Sequence, residues 1–267
     1  MEYLTEKAVL SRLSTKWAGR NCQVLQVTDS TNIQCRRLAE EGQPEGTLVL
    51  AESQKAGKGR RGRTWVSPPG AGIWMSILLR PDCPADKASM LTLVAALAVE
   101  RGIRKAEGLA TKIKWPNDLV LNGKKICGIL TEMKTAGIRA GYVVVGIGIN
   151  ANLTEFSEDL KDKATSLLLE SGKEANRPEI VAAVMEAMEE YYEAFLQEQN
   201  LSAMVEEYNQ KLVSLNRRVR VLDPAGGYEG QCLGITSTGE LRVKKDDRSV
   251  VSVVSGEVSV RGVYGYV

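Results

Sequence analysis

Histidine does not occur anywhere in the 267 residues. Its absence removes histidine-bearing zinc sites, the Ser-His-Asp triad and the Cys-His dyad together. Any catalysis must use lysine, arginine, carboxylates, amides, backbone groups or a metal brought by the substrate. Long apolar runs are missing too. Nothing approaches the ~20 residues of a membrane-spanning helix, and the N-terminus has no apolar signal core. Cysteine is sparse and unpatterned: Cys22, Cys35, Cys83, Cys127 and Cys232 are odd in number and lack metal-type spacing. Such usage suits a reducing compartment, so a cytoplasmic location is expected. A large charge excess is also lacking, the formal net charge being +2. That disfavours a broadly basic nucleic-acid-binding domain. The length fits one large or two modest globular domains.

One stretch departs from this ordinary background. Gln54 to Trp65 reads Q-K-A-G-K-G-R-R-G-R-T-W, with Gly57, Gly59 and Gly62 among Lys55, Lys58, Arg60, Arg61 and Arg63. No acidic residue interrupts it. Glycines allow close backbone approach to a ligand, and cations crowded this way need anions. A nucleotide triphosphate satisfies both conditions. A solvated basic surface is the simpler reading of the run taken alone.

Periodicity organises the rest. Thr5–Trp17 reads as an amphipathic helix, Cys22–Val27 as a strand, and Asp29-Ser30-Thr31-Asn32 as the opening of a helix to about Glu41. Strands are expected at Thr47–Ala51 and Ile73–Leu79, on either side of the basic loop, with an apolar helix over Asp86–Ala106. Leu119–Leu121 and Lys125–Leu130 flank Asn122-Gly123, a strong hairpin signal. Tyr142–Ile149 reads as a buried strand, 152–176 as loop with some helix, and Pro178 and Ser202 as the starts of two further helices. Beyond Asn216, short β-branched runs (Val219–Val221, Cys232–Ile235, Leu241–Lys244, Val250–Val254, Val258–Val260) alternate with turn residues, Pro224–Gly227 among them. Their spacing predicts a small barrel of about five strands. The expected division is 1–215 and 216–267.

Within this frame several residues have two readings. Lys112 and Lys114 share a strand face before the Pro116-Asn117-Asp118 turn, as held functional groups or as solvent lysines of an edge strand. Gly146 and Gly148 weaken an apolar strand, which suggests close ligand approach or packing under the long apolar helix. Asn150-Ala151 could offer an amide or start a turn. Ser30 is first an N-cap, and Gln54 a polar strand end.

Taken together, Asp29–Asn32, Gln54–Trp65, Lys114–Asp118, Lys125–Leu130 and Gly146–Asn150, with Ala164–Leu167, resemble the biotin protein ligase family in order and spacing. The resemblance covers nearly the whole chain. It implies an α+β fold: a catalytic domain like that of class II aminoacyl-tRNA synthetases, a mixed sheet with helices, followed by an SH3-like barrel. It implies that biotin and Mg-ATP give biotinyl-5′-AMP and pyrophosphate, after which an acceptor lysine takes the biotin. Carried over residue by residue, Lys114 and Arg60 are the expected catalytic cations. Ser30, Thr31, Asn32, Gln54, Gly57, Lys58, Gly59, Arg60, Lys114, Gly128 and Gly148 are the expected biotin contacts. Arg60, Arg63, Trp65, Lys114, Asn150 and Ala151 are the expected adenylate contacts. Lys58 departs from the arginine commonest at its position, which puts a bidentate contact there in doubt. Asp118 is left between orienting Lys114, approaching the acceptor amine and holding the turn.

The implied partner is a biotin carboxyl carrier domain of acetyl-CoA carboxylase or pyruvate carboxylase. Some family members carry an N-terminal winged helix that represses operons. Only Met1–Thr28 precedes the first block, so a monofunctional enzyme without specific DNA binding is expected. No membrane partner is expected, self-association as a homodimer is left open, and no metal-ligand set is identified. The competing readings are a lipoate or octanoate ligase of related fold and a non-catalytic nucleic-acid-binding protein.

Overall fold

The computed structural model describes residues 3–223, 226–256, 259–262 and 266–267. A seven-stranded mixed sheet carries the larger part. Its strands are β1 (Cys22–Thr28), β2 (Leu48–Gln54), β3 (Ile73–Leu79), β4 (Lys112–Lys114), β5 (Asp118–Leu121), β6 (Lys124–Ala136) and β7 (Arg139–Ile149), in the order β1-β2-β3-β7-β6-β5-β4. β1 and β2 pair parallel, and every other neighbouring pair is antiparallel.

Side-chain alternation divides the central strands between two apolar layers. Leu48, Leu50, Ile77, Leu79, Val143 and Val145 face one way, into the main core under α3 (Leu91–Glu107) and α5 (Arg177–Glu198). Val49, Leu78 and Val144 face the other way and meet Cys35 and Ala39 of α2 (Thr31–Glu40). Both faces of β3 are covered, so all seven of its residues are buried. The remaining helices are short: α1 (Glu6–Leu10), α4 (Leu167–Ser171) and α6 (Val205–Lys211).

Two elements differ from expectation. The first helix stops at Leu10 instead of reaching Trp17. Glu189 of α5 accepts hydrogen bonds from the backbone N–H groups of Lys16, Trp17 and Ala18 at 2.9–3.0 Å. A carboxylate 171 residues or more away thus supplies what a helix would have supplied locally. The second difference is the length of the β6–β7 hairpin, which runs on to Ala136 and resumes at Arg139 around Gly137 in the left-handed region. Its polar outer half shows no apolar alternation to announce it.

A second sheet follows: β8 (Arg218–Leu222), β9 (Tyr228–Ile235), β10 (Leu241–Lys244), β11 (Val250–Val253) and β12 (Ser259–Gly262). It is antiparallel, ordered β11-β10-β9-β8-β12, and SH3-like. Of the strand and turn residues expected here, Val258, Pro224 and Ala225 lie outside the described residues. The smaller sheet docks against the β4 edge of the larger one. Val213 donates its N–H to the Ile113 carbonyl at 2.9 Å, and the buried Trp115 indole donates to the Gly239 carbonyl at 3.0 Å. Val219, Cys232, Leu241 and Val243 belong to the same apolar cluster as the larger sheet's core, which runs continuously across residue 215.

Candidate active site

A cavity opens where α2 begins, over the ends of β3, β6 and β7. The sheet below it is nearly bare. Gly128, Gly146, Gly148 and Ser76 lie on the cavity-facing side, while Met75, Ile129 and Ile147 line it yet send their side chains into the main core. The bareness is required. A Cβ on Gly146 would stand 2.1 Å from Asn32 Oδ1, and one on Gly148 2.7 Å from the Trp65 indole.

One end of the cavity is a polar knot around the start of α2. Ser76 donates to Asn32 Oδ1 at 2.6 Å and lies 2.8 Å from Thr31 Oγ1. Asn32 Nδ2 donates to Glu132 at 2.7 Å, a carboxylate that fixes the amide's orientation. Gln54 accepts from Thr31 N at 2.9 Å and donates to Ser67 Oγ at 2.9 Å. Both halves of the Gln54 amide are therefore engaged within the protein. Ser30 holds the N-cap position, but its side chain makes no capping hydrogen bond and lines the cavity.

The other end is cationic. The basic loop folds as a narrow hairpin, with Trp65 N donating to Gly57 O at 2.9 Å and Gly59 N to Arg63 O at 2.7 Å. Its tip turns through Arg61 and Gly62, both at positive φ. This hairpin aims Arg60 inward, where it donates to Asn117 Oδ1 and to the Gly256 carbonyl, each at 2.8 Å. Burial pushes the pKa of that guanidinium down. Lys125 projects from β6 beside it, its Nζ 2.6 Å from Asp118 Oδ1 and 5.2 Å from the Trp65 ring centre.

Lys125 reaches the cavity because of a β-bulge. The β5–β6 register shifts so that Leu119 pairs Cys127 while Val120 pairs Lys125. Ile126 and Cys127 consequently both enter the core, and Lys125 lands on the same side as Gly128. Strict alternation would have put Lys125 on the opposite face from Gly128. Neither Lys125 nor Asn117, whose amide also donates to the Ile129 carbonyl at 3.1 Å, is among the site residues expected from sequence. The extra apolar residue in Lys125-Ile126-Cys127-Gly128 is the one signal that could have revealed the shift.

The structure brings Ser30, Thr31, Asn32, Gln54, Lys58, Gly59, Arg60, Trp65, Gly128 and Gly148 to this cavity. Other expected residues lie elsewhere. Lys114 does not line it; its Nζ sits 3.7 Å from the centre of the Tyr266 ring, on the far side of Asp118. Burial lowers the Lys114 pKa to about 8, against the pull of Asp118 and with Lys125, Arg261 and Arg63 adding to the lowering. Arg63 belongs to this outer group of cations. Asn150 and Ala151 are buried at the end of β7, where Asn150 Nδ2 donates to the Thr165 carbonyl at 3.1 Å. Gly57 packs against the loop itself.

That last contact decides what a larger residue at 57 should do. A Cβ there would stand 2.4 Å from the Trp65 carbonyl oxygen. Gly57→Val should therefore weaken the biotin binding that the family resemblance implies by spreading the hairpin, with loss of the Trp65 wall, and not by filling the cavity. Calorimetry should register at least a tenfold loss of affinity, and unchanged affinity would disprove it.

A buried ion pair fixes both ends of the loop. Arg177, at the start of α5, bonds the two oxygens of Glu52 at 2.8 and 3.2 Å, and both side chains are buried. Glu52 also accepts from Gly70 N at 3.1 Å, and Arg177 donates to Gly72 O at 3.2 Å. The chain leaves this pair two residues before Gln54 and returns to it at 70–72.

Comparison with known proteins places the fold. Residues 24–150 match the family model described as "Biotin/lipoate A/B protein ligase family", and residues 214–261 match "Biotin protein ligase C terminal domain". The bifunctional ligase/repressor BirA of Bacillus subtilis is 38% identical over 261 residues, covering 96% of this chain and 79% of that protein. The chain belongs to the biotin protein ligase family. A biotin–[acetyl-CoA-carboxylase] ligase of Mycobacterium tuberculosis is 31% identical over 96% of this chain and 95% of its own. The biotin protein ligase of Aquifex aeolicus, solved with biotin and ATP, superposes with a TM-score of 0.79 at 30% identity, over 91% of this chain and 99% of that one. The bare sheet, the basic hairpin and the SH3-like sheet are thus parts of a biotin protein ligase fold.

Proposed function

We propose that the cavity takes biotin with its ureido ring toward Ser30, Thr31 and Asn32 and its carboxylate toward Lys125 and Arg60, beside the phosphates of ATP. As a family member the chain is an ATP-dependent ligase that activates biotin and transfers it to protein. The observation that carries the finer reading is a bare-sheet cavity lined by the hydroxyls and amide of Ser30, Thr31 and Asn32 on one side and by the cations Lys58, Arg60 and Lys125 on the other. A neutral cyclic urea and a carboxylate joined by an apolar arm match those two sides.

The chemistry needs little beyond electrostatics and placement. A biotin carboxylate oxygen attacks the α-phosphorus of ATP, the bond to the bridging oxygen breaks, and pyrophosphate leaves. The ε-amine of an acceptor lysine then attacks the acyl carbon, loses a proton, and expels AMP. Charge gathers on phosphate oxygens in the first step, and preorganised cations stabilise it most. Arg60 and Lys125 stand at the cavity, with Arg63, Lys114 and Arg261 outside it. In this reading Lys125 takes the carboxylate contact expected of Lys114, and Lys114 serves the phosphates. Trp65 walls the cavity, while Gly57, Lys58 and Gly59 offer the hairpin backbone. The adenylate contact expected of Asn150 and Ala151 would come from backbone, since the Asn150 amide nitrogen is engaged. Mg2+ enters with the triphosphate as part of the substrate.

Lys114 gives the reading a pH signature. A lysine with a lowered pKa keeps its charge below that value and loses it above. Pyrophosphate exchange should therefore decline as pH rises through about 8. Lys114→Ala should abolish that limb, and a limb of unchanged position in the variant would remove Lys114 from the phosphate site.

The acceptor in this reading is the biotin carboxyl carrier domain of acetyl-CoA carboxylase, with that of pyruvate carboxylase as the alternative; labelling each with biotin distinguishes them. Among the described residues no helix is long and apolar enough to cross a membrane. All five cysteines are free, in keeping with the cytoplasm as the place of reaction. A gel assay with operator DNA tests for specific DNA binding. Sedimentation with and without biotin plus ATP tests homodimer formation. The deciding experiment is ATP–pyrophosphate exchange, expected with biotin and absent with lipoate. Exchange that follows lipoate instead would overturn the assignment.

A further inference from the structure

Asp118 is held from two sides. Lys125 reaches one oxygen at 2.6 Å, and the Tyr266 hydroxyl donates to the other at 2.5 Å. The Tyr266 ring meanwhile lies under Lys114, whose Nζ is 3.7 Å from its centre. One tyrosine beyond the second sheet thus touches the carboxylate that pairs with the cavity lysine and also the outer lysine.

We infer that Tyr266 is a positioning residue for adenylation: its hydroxyl fixes Asp118, Asp118 fixes Lys125, and its ring fixes Lys114. The inference rests on the biotin-ligase reading above and adds to it a division of labour within one side chain. β4 and β5 place Lys114 opposite Asp118, and β5 and β6 place Asp118 opposite Gly128 on the cavity floor. The strands therefore set the Cα positions of the two lysine-bearing strands but not where long, flexible lysine side chains end. A lysine loses about 1.5–2 kcal/mol of rotamer freedom when it is fixed, so something must hold it. A carboxylate with one oxygen hydrogen-bonded to Tyr266 presents its other oxygen to Lys125 as an oriented anchor. The aromatic face attracts the Lys114 ammonium and keeps it apart from Lys125, with which it would otherwise compete for Asp118. Without that separation both ammonium groups could collapse onto one carboxylate, leaving the phosphate path short of a cation.

A residue that merely anchored the second sheet would have a different signature. The sheet has independent anchors, namely the bonds from Val213 to Ile113, from Trp115 to Gly239 and from Arg60 to Gly256. Loss of the Tyr266 hydroxyl should thus leave docking intact.

Two substitutions separate the roles of hydroxyl and ring. Tyr266→Phe should lower kcat of biotin-dependent exchange about tenfold, as expected for one lost hydrogen bond to a charged group, with KM for ATP unchanged. Tyr266→Ala should additionally raise KM for ATP several-fold, because Lys114 loses its seat. Asp118→Asn should lower kcat as Tyr266→Phe does, and Tyr266→Phe should add nothing further in that background. Such non-additivity is the mark of two groups acting through one contact. Independent, additive losses would overturn the inference, as would variants with wild-type kinetics or losses that track only a lowered Tm. Absence of biotin-dependent exchange in the unmodified protein would instead sink the ligase reading, and the inference with it.

Discussion

Lys125→Ala should cut biotin-dependent pyrophosphate exchange by about a hundred- to a thousand-fold, the scale for removing one preorganised charge-stabilising group. The fold should survive, since Lys125 is partly exposed and its neighbours Ile126 and Cys127 hold the strand in the core. Its ammonium lies 3.1 Å from a Cβ built on Gly128, and so over the cavity floor itself. Removing it also leaves Asp118 without its cation in the cavity, turning a neutral pair into a negative charge facing an incoming carboxylate and triphosphate. Lys125→Arg should recover only part of the rate, because a planar fork cannot occupy the place of a compact ammonium. Lys114→Ala should behave differently, raising KM for ATP and removing the alkaline limb. Steady-state exchange kinetics on the three variants decides the matter. An activity near wild type in Lys125→Ala would move the carboxylate-binding role back to Lys114.

The largest expected effect on stability lies in the pair that ties the loop. Glu52→Gln keeps the shape but leaves the buried Arg177 guanidinium without its counter-charge. Breaking a buried pair from one side costs about 3–5 kcal/mol. For a protein of this size that corresponds to a fall in Tm on the order of 10 °C. The same change should weaken biotin binding more than its stability cost requires, because Gly70 N and Gly72 O are held by the same two side chains. Replacing both partners, as in Glu52→Gln with Arg177→Met, should restore much of the stability, since no uncompensated charge remains buried. It should not restore binding, because the loop's two ends are no longer fastened. Thermal melts and biotin titrations on the single and double variants separate the two effects. Equal recovery of both would show that the pair serves the core alone.

Much of the frame was legible because its causes are local. Asn122 and Gly123 adopt the two positive φ angles that a tight hairpin demands, and those residue types announce it. Asn176 caps α5 by accepting from Glu179 N, with Pro178 beside it. The glycines were legible in kind though not in partner. Gly146 and Gly148 do admit a close neighbour, but the close neighbours here are Asn32 and Trp65. The first helix is shorter than its periodicity suggests because the carboxylate that holds Lys16–Ala18 outside a helix comes from α5. Lys114 was expected through the family resemblance of Lys114–Asp118, and nothing in that motif reports the bulge that turns Lys125 toward Gly128.

Residue order alone determined the class of chemistry. A chain without histidine, carrying a glycine-spaced run of cations between two strands, is suited to binding anions and stabilising charge rather than to histidine-based acid–base catalysis. Only the tertiary structure decided which cations meet the cavity. That choice depends on one extra residue in β6, which reverses the facing of everything before it, and on Asp118, where two lysines and a distant tyrosine converge. Pairing register and long-range contact are properties of strands placed side by side, and no single segment contains them.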